Sequence, residues 1–175
     1  EKVEREIIKP TIEGLKKDNI IYKGFIFFGL INVKGQPKVI EYNVRMGDPE
    51  SEVVLPRIKS DLLELLYAAG NGNLKDHNII IDDKKAATVF LVSGGYPEQY
   101  EKNKEIFGLD AVVDSLVFHA GAKCEDAKVK TNGGRVIALT SIGNSVQEAL
   151  EKSYNSIKKI SFEKMYYRKD IGFDL

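Results

Sequence analysis

Residues 22–45 constrain the fold of this chain more than any other stretch. Residues 22–33 are apolar with little polar interruption and read as a strand buried on both faces. Lys34-Gly35-Gln36-Pro37 is a turn, and residues 38–45 return as a second strand. Strands joined by so short a connection pair antiparallel, which predicts a rigid hairpin. Side chains alternate along a strand, so Ile40, Tyr42 and Val44 share an apolar face while Glu41, Asn43 and Arg45 share the other. A carboxylate and an amide oxygen two residues apart are hard ligands suited to magnesium, and Arg45 adds a cation that can grip a phosphate oxygen. On pattern alone the competing reading is a half-buried strand with a wet polar face, in which Arg45 pairs with Glu41.

The elements around the hairpin are mostly helical. Val3, Ile7, Ile8, Ile12 and Leu15 recur at helical spacing over 1–17, with Pro10 expected to kink or split that helix. Gly47-Asp48-Pro49-Glu50 forms a strand-to-helix corner, where Asp48 can cap a helix that has Pro49 in its first position. The same carboxylate could instead hold a cationic amine. Glu50 and Glu52 fall in the first helical turn, where the dipole favours negative charge. A helix from Ser60 or Asp61 to about Gly70 directs Leu62, Leu63, Leu65, Leu66 and Ala69 to a core. The polar stretch 71–78 is loop-like, with His77 solvated, and the domain boundary is placed there: 1–76 and 77–175.

Beyond the boundary, 86–92, 112–118, 128–130 and 136–140 are strand candidates, and Asn132-Gly133 is a hairpin signal between the last two. Gly133-Gly134-Arg135 is read as that turn, with an anion-binding nest of backbone N–H groups as the alternative. His119 is expected to be packed and hydrogen-bonded. Ser145-Val146-Gln147-Glu148 is a capping box opening a helix with the stripe Val146, Ala149, Leu150, Tyr154, Ile157 and Ile160. A short strand is expected over 165–168. The prediction is an antiparallel sheet with one main helix, an α+β unit.

Lys plus Arg equals Asp plus Glu at 26 each, so the basic excess usual in nucleic-acid-binding domains is lacking. No apolar run approaches the roughly 20 residues needed to span a bilayer. One cysteine, Cys124, excludes an internal disulfide and fits a reducing cytoplasm.

Residues 45–53, Arg-Met-Gly-Asp-Pro-Glu-Ser-Glu-Val, resemble the signature of the phosphoribosylamine–glycine ligase (glycinamide ribonucleotide synthetase) family of ATP-grasp enzymes. Further blocks follow in family order: 56–62, Ser93-Gly94-Gly95-Tyr96-Pro97, Phe118-His119-Ala120-Gly121, 131–136 and 167–172. Met46 stands where the family more often has Phe or Leu. The resemblance implies the C-terminal part of an ATP-grasp domain, made of an antiparallel hairpin plus helices, followed by a small antiparallel-sheet domain with one main helix. It implies de novo purine biosynthesis: ATP phosphorylates the carboxylate of glycine, and the amine of 5-phosphoribosylamine attacks the acyl phosphate to give glycinamide ribonucleotide. Glu41 and Asn43 would bind Mg²⁺ or Mn²⁺, and Arg45 would clamp phosphate as the catalytic cation. Asp48 would hold the glycine ammonium group. Arg168 and Lys169 would contact the ribose 5-phosphate or ATP, a basic surface pair being the alternative. The chain opens on Glu1 and reads as a fragment that is inactive alone. The glycine-rich lid, the ATP lysine and a further metal carboxylate are expected upstream. Other readings are a different ATP-grasp purine ligase or carboxylase, and a non-catalytic binding module.

Overall fold

The computed structural model describes residues 1–173. These form two compact units: Glu1–Asp48 with Lys59–Ile80, and Pro49–Ile58 with the residues from Ile81 onward.

The first unit opens with a π-helical turn, Glu4–Ile8, that runs into helix α1, Lys9–Lys17. Pro10 neither splits nor stops the helix. The winding loosens ahead of it, so that the Lys9 N–H donates to the Glu4 carbonyl. The Thr11 hydroxyl donates to the Ile7 carbonyl at 2.7 Å, giving that carbonyl a side-chain partner. The expected hairpin is present as β1, Phe27–Val33, and β2, Gln36–Asn43. Lys34 and Gly35 both take positive φ at its turn, the geometry that matches the twist of paired strands. β1 is shorter than expected, and β2 keeps its expected length but starts and ends two residues earlier. β1 is not buried on both faces, because this sheet has only two strands; Ile31 is half exposed.

Helix α3, Leu62–Asn71, begins at Asp61, whose carboxylate accepts from the Glu64 N–H at 2.9 Å, and ends on Gly72 in the left-handed conformation. Its buried face is Leu65 and Ala68, whereas Leu63 and Leu66 are exposed. His77 is not simply solvated: it is half-buried, and its Nδ1 lies 3.5 Å from Glu64 Oε1.

The second unit begins with the short helix α2, Ser51–Val54. Its N-cap is Glu50, two residues past the expected Asp48, with Pro49 in the preceding turn. The main sheet has the order β3-β7-β4, from Lys85–Val92, Arg135–Gly143 and Leu116–His119, and is antiparallel throughout. The central β7 is almost wholly buried, as a strand paired on both edges and covered by helix should be. Helix α4, Val146–Ile157, packs on β3 and β7 and buries Ala149, Leu150 and Ile157 against Val89, Leu91 and Leu139. Small residues let it lie close to the sheet. The buried Ser153 donates to Ser141 Oγ at 2.9 Å, and the Ser115 hydroxyl lies 2.7 Å from both Ser141 and Ser156, so these hydroxyls satisfy one another. The Ser145 cap forms, accepting from the Glu148 N–H at 3.1 Å. The Glu148 carboxylate reaches back to the Asn144 N–H rather than to that of Ser145.

Four expectations for this unit fail. Residues 112–115 are not strand, since a 3₁₀ turn at Leu109–Ala111 leads into the shorter β4. Asn132-Gly133 is not a hairpin turn. The strand before it, β6 (Lys128–Thr131), pairs with β5 (Ala122–Glu125) in a separate sheet, through a turn in which Asp126 and Ala127 both have positive φ. A positive-φ alanine leaves no turn signature in sequence. The Gly133 segment instead crosses Gly121, where a Cβ would stand 2.7 Å from the Gly133 Cα. The last expected strand is a single antiparallel bridge, Val92 to Tyr166. His119 is exposed rather than packed.

Leu139→Ala, at a fully buried site, should cost about 2–5 kcal/mol in urea denaturation. Leu63→Ala, at a site 78% exposed, should stay within about 0.5 kcal/mol. Acid response gives a second measurement. The Glu101 carboxyl is drawn from its ordinary 4.5 to about 2 by hydrogen bonds from Lys104 and Lys164 and then by their charge. A lowered folded-state value stabilises above the unfolded pKa, and that contribution is lost as pH falls through the folded one. Glu101→Gln should therefore lower the melting temperature slightly at pH 6, and the difference from the parent should vanish as pH falls from 4.5 towards 2. The effect is small because the side chain is exposed.

Candidate functional site

In the first unit the polar residues of the hairpin are arranged by a β-bulge. Leu30 faces Val39 and Gly29 faces Glu41, so Ile40 is an extra residue on β2. A bulge bends its strand and re-aims the side chains beside it. Beyond it, Phe28 and Tyr42 make a cross-strand aromatic pair, with ring centroids 5.4 Å apart and planes at 66°. The Tyr42 hydroxyl lies 3.4 Å from Thr11 Oγ1 of α1. Glu41 and Asn43 alternate with Tyr42 and so occupy the opposite face.

Opposite Glu41 the partner residue is glycine, and this is a matter of space. A Cβ on Gly29 would stand 2.8 Å from Glu41 Cγ, closer than carbon atoms approach. The Glu41 side chain thus lies over the position that any other residue at 29 would fill. Glu41 is exposed and Asn43 half-buried, and among the described residues neither side chain has a hydrogen-bond or ion-pair partner. The bland Glu41–Arg45 pair does not form. Two unpaired oxygen donors on a rigid strand suit a magnesium-sized ion, which takes one or two protein oxygens and fills its octahedron with water and phosphate. Among the described residues no three acidic, histidine or cysteine side chains cluster as a complete metal cage.

Arg45 lies two residues past the end of β2, so strand alternation does not set its direction. It is exposed, and its Nη1 donates to the Met46 carbonyl at 2.8 Å. The exit of β2 is held by Tyr22, whose hydroxyl lies 2.7 Å from the Phe25 carbonyl and 3.0 Å from that of Val44. Asp48 is exposed at the corner.

In the second unit Arg168 and Lys169 are both exposed, at the chain's return beside β3. Two bonds between Val92 and Tyr166, 2.8 and 3.0 Å, hold that return, as does the Tyr154 hydroxyl, which donates to the Arg168 carbonyl at 3.1 Å. The Arg168 guanidinium grips Asp170 with Nε–Oδ1 and Nη2–Oδ2 both 3.0 Å. That bond holds the Asp170 carboxyl below its ordinary range and raises Arg168. Next to this segment a cavity of about 420 Å³ opens on β3 and β7, walled by Phe90, Tyr96 and Tyr166 with Arg135 and Arg168. Sequence reasoning singled out the loop of Arg135 for its backbone and missed its side chain, which lies 5.2 Å over the Phe90 ring. It also missed Gly29 and Tyr22. A glycine inside a strand pattern was the available signal for the first; Tyr22 carried none.

Residues 86–174 match the family described as phosphoribosylglycinamide synthetase, C domain, and residues 1–51 match the ATP-grasp (A) domain of the same synthetase. A phosphoribosylamine–glycine ligase of Caldanaerobacter subterraneus subsp. tengcongensis is 46% identical over 97% of this chain. The chain spans 41% of that relative's length. The crystal structure of phosphoribosylamine–glycine ligase from Thermotoga maritima superposes with a TM-score of 0.84 at 35% identity, covering 95% of this chain and 41% of that one. N5-carboxyaminoimidazole ribonucleotide synthetase of the same organism, at 19% identity and a TM-score of 0.59 over 92% of this chain and 41% of its own, shares the fold.

Proposed function

Because this chain belongs to the phosphoribosylglycinamide synthetase family, we propose that the polypeptide carrying it is an ATP-dependent ligase. It joins glycine to 5-phosphoribosylamine in purine biosynthesis, in the cytoplasm. The observation that carries this reading is the pair of oxygen donors, Glu41 and Asn43, which have no side-chain partner among the described residues, on the glycine-backed face of β2. The proposed division is the rear of an ATP-grasp domain over 1–76 and a C-terminal domain over 77–175; the family matches to 1–51 and 86–174 fall on either side of that boundary. No described helix is long and apolar enough to cross a membrane.

Glu41 and Asn43 would hold Mg²⁺ or Mn²⁺, which supplies charge neutralisation for the ATP phosphates. Glu41 brings the negative charge, and Asn43 adds an amide oxygen without a second charge. The strand fixes the spacing of the two donors before any ligand arrives, so little reorganisation is needed. Arg45 would hold the transferring phosphoryl group. Only one of its N–H groups is used within the described residues, at Met46, which anchors the guanidinium and leaves donors for phosphate oxygens. Asp48 would accept hydrogen bonds from the glycine ammonium group. Arg168 and Lys169 would meet a phosphate-bearing ligand, with Asp170 holding the guanidinium flat until it arrives.

In the full-length polypeptide, Glu41→Gln should lower turnover by roughly 100-fold or more while leaving the melting temperature unchanged. Normal turnover at ordinary magnesium would remove Glu41 from the site. Gly29→Ala separates position from chemistry, because it pushes the Glu41 side chain aside without altering the carboxylate. The magnesium concentration for half-maximal rate should rise by about 10-fold, and kcat should recover at saturating metal.

A further inference from the structure

The paired part of the hairpin stops short of Arg45. Its last partners are Phe27 and Asn43, so Val44 and Arg45 on one line of chain, and residues 25 and 26 on the other, run on with no ladder between them. Strand pairing fixes the backbone of Glu41 and Asn43 but not that of Arg45. A cation on an unfixed backbone has to be ordered by its ligand, which weakens its grip.

Tyr22 takes over where the ladder ends. Its hydroxyl donates to the Phe25 carbonyl at 2.7 Å and to the Val44 carbonyl at 3.0 Å. A phenol has one proton, so the two carbonyls share it. They belong to the two lines of chain that leave the hairpin, and the hydroxyl closes that open end as one more rung, made by a side chain. The Val44 carbonyl and the Arg45 nitrogen lie in one planar peptide group, so holding the first orients the second.

The neighbours of Tyr22 seat the phenol. A Cβ on Gly24 would stand 3.0 Å from the Tyr22 oxygen, and Gly24 has a φ of 141°, which residues with side chains rarely adopt. Lys23, between them, donates to the Gly70 carbonyl in the last turn of α3, the end of a helix that favours a cation. Residues 22–24 therefore form a strap from the carboxyl end of α3 to the exit of β2.

We propose that Tyr22 is a positioning residue for phosphoryl transfer: it fixes the backbone from which Arg45 reaches the transferring group and leaves the metal donors untouched. The part played in transfer rests on the ligase reading; the clasp between Tyr22 and the exit of β2 does not.

The test is a double-mutant cycle of Tyr22→Phe with Arg45→Ala in the full-length polypeptide. Tyr22→Phe alone should lower kcat for glycine-dependent ADP release about 10-fold. Its melting temperature should change little, because Tyr22, Phe25 and Val44 are exposed and water can replace the hydroxyl. The magnesium concentration for half-maximal rate should stay at the parent value, since Glu41 and Asn43 keep their strand pairing. In the Arg45→Ala background the same change should cost less than about 2-fold. Losses that multiply across the cycle would mean that Tyr22 acts without Arg45 and would overturn the proposal, as would an unchanged kcat in Tyr22→Phe. Hydrogen exchange gives a readout independent of turnover. In Tyr22→Phe the amides of residues 44–47 should exchange about 10-fold faster, and those of 36–43 at the parent rate. Parent-like exchange over 44–47 rejects the clasp, and faster exchange over the whole hairpin reduces Tyr22 to a general structural role. A parent that releases no ADP in response to glycine removes the ligase reading alone, and exchange over 44–47 then decides whether Tyr22 holds the Arg45 backbone.

Discussion

The second unit depends on one strand. β7 pairs with β3 on one edge and β4 on the other, and helix α4 covers it. Nearly every backbone polar group of a strand in that position must be satisfied by its neighbours, because water does not reach it. After Arg135 its side chains are correspondingly apolar or hydroxyl-bearing, and the hydroxyls of Ser141, Ser153, Ser115 and Ser156 pair among themselves. Arg135 enters at the first residue of this strand. Its guanidinium inherits the rigidity of the sheet, which a loop arginine would lack.

The first unit meets the same need for rigidity by a different route. Its sheet has two strands, and a hairpin alone is marginal. The ring pair of Phe28 and Tyr42 on one face, the Tyr22 hydroxyl at the exit of β2 and the glycine under Glu41 each remove freedom from the polar residues. The bulge at Ile40 sits immediately before Glu41, a common place for a bulge to redirect a functional side chain. Position 29 is thus constrained by the residue across the strand pair, not by its own backbone, since Gly29 does not take a positive φ.

Much of this was legible from residue order. The hairpin, the Asp61 and Ser145 caps, the α4 stripe and the alternation that places Glu41 with Asn43 all follow from local periodicity and capping chemistry. The errors have physical causes. Leu63 and Leu66 fit a helical stripe, but a stripe on a short helix does not say how much of it is covered. Asn132-Gly133 carries a hairpin signal, yet long-range pairing to β3 and β4 claimed the following strand. Arg45 fits the period of two, but β2 stops at Asn43, so the alternation no longer governs it.

By itself the sequence determined which side chains bring oxygen donors and cations, and their spacing along the chain, because alternation and capping are local rules. Tertiary structure alone decided that Glu41 would lie over a bare glycine, that the Arg135 guanidinium would sit 5.2 Å over the Phe90 ring, and that Tyr96 would rest against Gly134. Each of these is a contact between residues distant in sequence. Their distance is set by how strands register and chain segments cross, and no local pattern of residues encodes it.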